Sequence, residues 1–401
     1  MPPFADSNAL TIAIASGPAW TAAKNSRQWY QPVTSTLLAN KPSPEPPSAG
    51  GGGFETITVW SGGAYNQARK SMMIWGGGHS AYSGNELYEY RLGIDAPAIT
   101  RMNNPTPTGQ IIMNGSTPTY ADGRPVSCHS GDHIACDNAG NFWTVNLGRC
   151  ISQGASYPNV FRWVPGTDTW LQTGALNASS PVFQYAARNA YYALAHDSVQ
   201  DRMYWIGQMG STGVVNCALT SGSTSDFYTG EVAELDQGNE RTATFFNAPS
   251  GVRALILLVS AINRIFVMNV DNPAGGWTGI TPSGSPGLDQ GAGIQWHTAS
   301  GGALVWGHGT NRQNLWKLNP PTATPSTYAQ LSGGAWSWSS VAPLSGAIVP
   351  TNPRGIQFGD SSGTYKRFGI IRSVTTSADA VCVLNDVDEQ PFVQLIPSTG
   401  V

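Results

Sequence analysis

The sequence predicts an all-β chain built from repeated strand units, and three observations predict it. Charged residues are only 11% of the 401, against about 25% in an ordinary soluble domain, while glycine (47), proline (28) and tryptophan (14) are plentiful. Such a composition favours strands and turns over helices. Short apolar runs separated by polar turns recur along most of the chain. The chain also echoes itself: Gly355-Ile356-Gln357-Phe358 repeats Gly293-Ile294-Gln295-Trp296, and Leu304–Gly309 repeats the pattern of Met73–His79.

Residues 1–54 do not follow the repeat. Ala9–Ala15 suits one strand, and Trp20, Trp29 and Tyr30 are large apolar anchors. Lys41–Gly53 is proline-rich and then glycine-rich, the composition of a linker or an extended strap.

The stretch Ile57–Leu92 is the most informative. Ile57–Tyr65 and Ser71–Trp75 read as strands around the polar turn Asn66–Lys70, and Glu86–Leu92 reads as a third strand after Ser83-Gly84-Asn85. Between them Gly76-Gly77-Gly78 permits positive φ or close backbone approach. A strand ending in Trp-Gly-Gly-Gly, a loop, and a strand of the type Glu-Leu-Tyr-Glu-Tyr-Arg-Leu resembles one blade of a kelch-type β-propeller. The longer form, with His79, Tyr82 and Gly84-Asn85-Glu86 after the glycines, is similar to kelch-like proteins encoded by bacteria and their phages. The resemblance covers about 35 residues and implies a fold, since propellers host many unrelated activities.

Further copies follow. The second begins at Gly123-Arg124-Pro125 and includes a hairpin at Val164–Trp170 that resembles the end of a kelch blade. The third is Ala190–Phe246, with a long loop at Met209–Tyr228 and a strand in Gly230–Asp236. The fourth is Arg253–Ile280, the fifth Gly293–Gln330 and the sixth Gly355–Ile396. The expectation is a single kelch-like β-propeller of about six blades over 55–401, with residues 1–54 as an N-terminal extended strap. A ring suits the chemistry, because stacked blades cover one another's apolar faces and closure removes free edges. The segment Ala9–Ala15, or the one around Trp20, is expected to close the last blade.

Several function classes are excluded. The formal net charge is -3 and lysines and arginines are scattered, which argues against nucleic-acid binding. No run of about 18 apolar residues predicts a transmembrane helix. The N-terminus lacks a basic start followed by an apolar core, so synthesis in a cytoplasm without signal-peptide export is expected. Five sparse cysteines predict buried free thiols rather than a disulfide framework.

Candidate residues come from loops and mouths. Cys128-His129-x3-His133-x2-Cys136 has metal-ligating residue types, but strand alternation turns Cys136 away from His133, so packing is expected and no metal or other cofactor. His79 and His308 follow glycines at equivalent places in two blades, and His129 and His133 are expected near the central channel. Tyr82, Tyr157, Phe227 and Tyr228 fall in predicted loops, where aromatics stack on sugars or anchor partners. Ser211–Tyr228 is the leading candidate for a binding loop. Trp163, Trp170 and Trp277 are assigned to packing between blades.

No Gly-x-Ser-x-Gly elbow, His-Glu-x-x-His or phosphate-binding loop occurs. Galactose oxidase shares the kelch architecture, but its copper ligands have no counterpart here that can be matched residue by residue. Glu86, Asp122 and Asp132 are candidates for a hydrolytic carboxylate pair, with nothing in the sequence to select one. The expected role is therefore a non-enzymatic structural or binding module of a phage virion, tail-associated and present in multiple copies. Its partners would be other virion proteins and a bacterial surface glycan or receptor. The alternative is a carbohydrate-binding or carbohydrate-cleaving propeller.

Overall fold

A computed structural model describes residues 17–22, 24, 28–32, 35–48, 52–76, 81–113, 117–145, 159–175, 193–207, 212–217, 224–227, 241–288, 291–307, 314–343, 348–351 and 363–398. Among these residues, the N-terminal segment supplies β1 (Trp29–Tyr30). Five sheets are then each built from four consecutive strands. The first holds β2 (Gly63–Asn66), β3 (Ser71–Ile74), β4 (Tyr88–Arg91) and β5 (Ile99–Arg101). The second holds β6 (Ala135–Cys136), β7 (Phe142–Val145), β8 (Asn159–Val164) and β9 (Thr169–Ala175). The third holds β10 (Ala193–Asp197), β11 (Arg202–Ile206), β12 (Thr212–Asn216) and β13 (Thr224–Phe227). The fourth holds β14 (Thr242–Asn247), β15 (Arg253–Val259), β16 (Arg264–Asn269) and β17 (Trp277–Ile280). The fifth holds β18 (Gly293–His297), β19 (Gly302–Trp306), β20 (Leu315–Asn319) and β21 (Ser337–Val341).

A sixth sheet is composite. β22 (Phe368–Ile371), β23 (Ala378–Val383) and β24 (Phe392–Pro397) are joined by β1, in the order β1-β24-β23-β22. Trp29 pairs with Gln394 and Tyr30 with Val393. All pairings within the sheets are antiparallel, and the first strands of neighbouring blades, β2, β6, β10, β14, β18 and β22, pack side by side into a closed ring. The fold is a β-propeller. The described helices are few: one short α-helix, α1 (Tyr328–Ser332), and several 3-10 turns. None is long and apolar enough to cross a membrane.

Strand alternation explains the core. Met72 and Ile74 of β3 face the sixth blade, while Met73 and Trp75 face the second. A blade's strands are thus apolar on both faces, as buried strands must be. The core accordingly divides into clusters that each lie between two neighbouring blades, one for every seam of the ring. Polar contacts reinforce the seams: Asn66 Nδ2 donates to Gly140 O (2.8 Å), Arg253 pairs with Asp197 (3.0 Å) and His297 with Asp379 (3.1 Å).

The structure corrects several boundaries. Trp29–Tyr30, not the segment around Trp20, closes the ring. Trp20 sits in a 3-10 turn, and its Nε1 donates to Leu92 O (3.0 Å), which docks the strap on the first blade. Ala9–Ala15 lies outside the described residues. The predicted strand Ile57–Tyr65 is extended only from Gly63, because Phe54–Thr58 forms a 3-10 turn that buries Phe54 and Ile57 beside Tyr82 and Tyr88. The predicted binding loop 211–228 contains β12 and β13, the outer half of the third blade, so Phe227 ends a strand instead of occupying a loop. The strand forecast in 230–236 and the echo at 355–358 lie outside the described residues. Phe245 and Phe246 belong to β14 and so to the fourth blade, not the third.

Candidate functional site

The six inner strands surround a cavity of about 230 Å³ on the ring axis. Every inner strand or its flank contributes to the wall, including Tyr65, Ala135, His196, Phe245, Gln295 and Phe368. The rim is formed by Gln67, Asn138, Ser198, Val199, Thr298 and Arg372, all at the ends of inner strands or in the turns that follow. The cavity therefore opens on the face carrying the turns between first and second strands.

Its other end is closed by Asp132. This residue precedes β6 of the second blade, yet its Oδ2 accepts the backbone N–H of Ala243 in the fourth (3.1 Å). Its Oδ1 lies 3.3 Å from Nζ of Lys366, which precedes β22 of the sixth. The carboxyl thus reaches over the axis and ties three alternate blades together. The local sequence allows this. Gly131 adopts φ 41° and donates its N–H to Trp60 O (3.0 Å), and His133 N–H closes a tight turn on Ser130 O (2.7 Å).

Burial governs the electrostatics of this plug. Asp132 is fully buried, and desolvation raises its carboxyl to about 7 despite the opposing effect of Lys366. Desolvation likewise lowers Lys366, which lines the cavity with 15% of its side chain exposed. Beside it, the buried Arg367 guanidinium donates to Leu384 O (2.9 Å), Gly363 O (2.9 Å) and Ser61 O. Desolvation lowers it to about 10. Two aromatic residues next to the plug hold left-handed backbones, Trp60 (φ 49°) and Tyr365 (φ 48°). Such conformations cost on the order of 1–3 kcal/mol each and persist where the surroundings over-determine them. Here Gly291 O accepts Tyr365 N–H (2.7 Å), and the Trp60 ring stacks on His129 at 5.8 Å.

The expected site residues are only partly brought together. His129 and His133 flank Asp132, as a position near the channel requires, but both are buried and neither lines the cavity. His133 O accepts Trp205 Nε1–H (3.4 Å). Tyr82 is not an exposed loop aromatic. It is fully buried and donates to Glu86 Oε1 (2.7 Å), which also accepts Tyr88 (2.9 Å). Burial among these rings pushes the Glu86 carboxyl above its ordinary value. His79, Tyr157, Tyr228 and His308 lie outside the described residues, as does the side chain of Phe227. Cys128 is disulfide-bonded, against the expectation of free thiols, and so offers no thiolate to a metal; Cys136, Cys217 and Cys382 are free and buried.

The suggested carboxylate pairs do not form. Glu86 is held by tyrosines, Asp122 accepts from Thr106 Oγ1 (2.7 Å) and faces Arg124, and Asp132 faces Lys366. Sequence reasoning missed Lys366, Gln295 and His196. Gln295 was legible only as part of an echo, because its place on the axis depends on ring closure.

No protein-family model matches the chain, and no curated protein matches it in sequence. Solved structures do match in fold. One is a protein of unknown function from Bacteroides thetaiotaomicron, 10% identical, with a TM-score of 0.50 over 92% of this chain and 76% of that one.

Proposed function

We propose that the protein is a non-enzymatic binding propeller of the kelch type, serving as a tail-associated component of a phage particle. It would dock to virion neighbours or contact the host surface. The channel carries the binding part of this reading. It is a pocket with one described mouth, walled largely by amide, hydroxyl and aromatic groups, and the Asp132 carboxyl at its closed end is paired with Lys366. Hydrolysis of a glycoside needs two carboxyls facing one space. Asp137, which also lines the wall, is held by Trp143 Nε1–H (2.7 Å) and Asn141 Nδ2–H (2.9 Å). The virion part rests on the similarity of Ile57–Leu92 to phage-encoded kelch-like proteins. Multivalent display would let weak single contacts suffice.

Antibody raised against the recombinant protein tests the virion part. The expected result is labelling of purified phage particles and co-sedimentation with them. Protein that sediments entirely apart from particles would overturn it. A second reading, glycan binding in the channel, is favoured by Tyr65, a half-buried residue that lines the same cavity as Gln67 and Asn138. Binding to host surface polysaccharide should weaken in Tyr65→Ala by more than about 1 kcal/mol, as for an aromatic anchor of a binding site. Unchanged binding would remove the channel from that reading.

A further inference from the structure

The geometry points to a divalent transition-metal site, of the kind zinc occupies, formed by His196, Asp201 and Cys217 where the second and third blades meet. The imidazole nitrogen, carboxylate oxygen and thiol sulphur all lie within 4.8 Å of one another. These are three different ligand types, and together they suit a borderline-soft ion better than calcium or magnesium. Zinc bound at about 2.0–2.3 Å from nitrogen, oxygen and sulphur needs ligand atoms roughly 3.3–3.8 Å apart. The His196 Nε2 to Asp201 Oδ1 distance of 2.8 Å would open by about half an ångström, within the reach of side-chain rotation.

The backbone has already brought the ligands together. His196 is the penultimate residue of β10, and Asp201 ends the turn into β11 with φ 51°. Cys217 follows β12, and its N–H donates to Asp201 O (2.9 Å), which holds the third ligand beside the second. The hydrogen bond from Asn138 N–H to Asp201 Oδ1 (3.1 Å) orients the carboxylate from the neighbouring blade. Such outer contacts are what fix metal ligands in place.

Three protein ligands leave one tetrahedral position open. His196 and Asn138 both line the axial cavity, which places the site beside the channel. The site is separate from the Cys128–Cys136 segment, and it does not depend on the virion reading.

The test uses the full chain, stripped with chelator and titrated with Zn²⁺ and with Co²⁺. The expected result is saturation at one ion per chain. With Co²⁺ the visible bands of a tetrahedral ion and a near-ultraviolet sulphur-to-cobalt charge-transfer band should appear. Cys217→Ser should abolish the charge-transfer band, and His196→Gln and Asp201→Asn should each weaken binding at least about tenfold, a loss that even outer-sphere changes cause. Cys382→Ala should leave the spectrum intact. Melting of the apo and zinc-loaded wild-type protein provides a readout independent of whether any variant folds, and zinc should raise the transition. No saturable binding by wild type, or a charge-transfer band that survives Cys217→Ser, would overturn the assignment.

Discussion

Asp132 and Lys366 show how burial and pairing compete at single residues. A carboxyl raised to about 7 contributes stability that is full below its ordinary value of 3.8 and is lost as pH rises through about 7. Lys366, lowered by the same burial, works in the opposite sense and loses its contribution as pH falls through its own folded value. Where Asp132 is ionised and Lys366 protonated, each charge offsets the cost of burying the other; in acid Asp132 takes up its proton and the pairing is lost. Lys366→Met should cost about 1–2 kcal/mol at pH 8, one unit above the Asp132 value, because the carboxyl then takes up a proton to avoid standing unpaired. At pH 5 Asp132 carries its proton, and the cost should shrink or reverse. Urea denaturation at the two pH values measures the difference. Equal losses at both would mean that Lys366 contributes packing and not charge.

At the scale of elements, closure depends on a strand of two residues. Trp29 is 2% exposed and packs among Leu304, Trp306, Phe368 and Val381, so β1 is a bolt through the seam between the fifth and sixth blades. Trp29→Ala should destabilise the protein by about 3–5 kcal/mol, read as a lowered midpoint in chemical denaturation. A loss below about 1 kcal/mol would place the closing energy elsewhere. Trp29 was legible as an anchor, but its role as a strand was not. Two residues carry no periodicity, and the pairing with Gln394 and Val393 spans nearly the whole chain. The hairpins of β2–β3 and β8–β9 were legible because apolar runs flank local turns. β12 was hidden because Thr212-Gly213-Val214-Val215-Asn216 sits in a serine-, threonine- and glycine-rich stretch that reads as loop. Likewise the position of Asp132 on the axis follows only from ring closure, which no local pattern encodes.

For the whole molecule, what matters is how closely the inner strands approach. Apolar clusters fill the seams farther out, but near the axis the seams narrow to backbone against backbone. A Cβ on Gly62 would run into the carbonyl oxygen of Gly131, and one on Gly63 would lie 2.6 Å from Lys366 O. Both obstacles are main chain, so no side chain can rotate aside. Gly62→Ala must widen the seam between the first and second blades, at a cost of about 1–3 kcal/mol. It must also displace Gly131 and with it Asp132, which closes the channel. Two changes should therefore appear together: a lowered melting temperature, and a shift in the carboxyl titration of Asp132, read by difference infrared spectroscopy against Asp132→Asn. Gly109→Ala is the control, since its Cβ would meet nothing within 4 Å. Its effect should stay within about 0.5 kcal/mol. If Gly62→Ala lowers stability while the Asp132 titration stays in place, the plug is held by the fourth and sixth blades alone, and the first blade has no part in closing the channel.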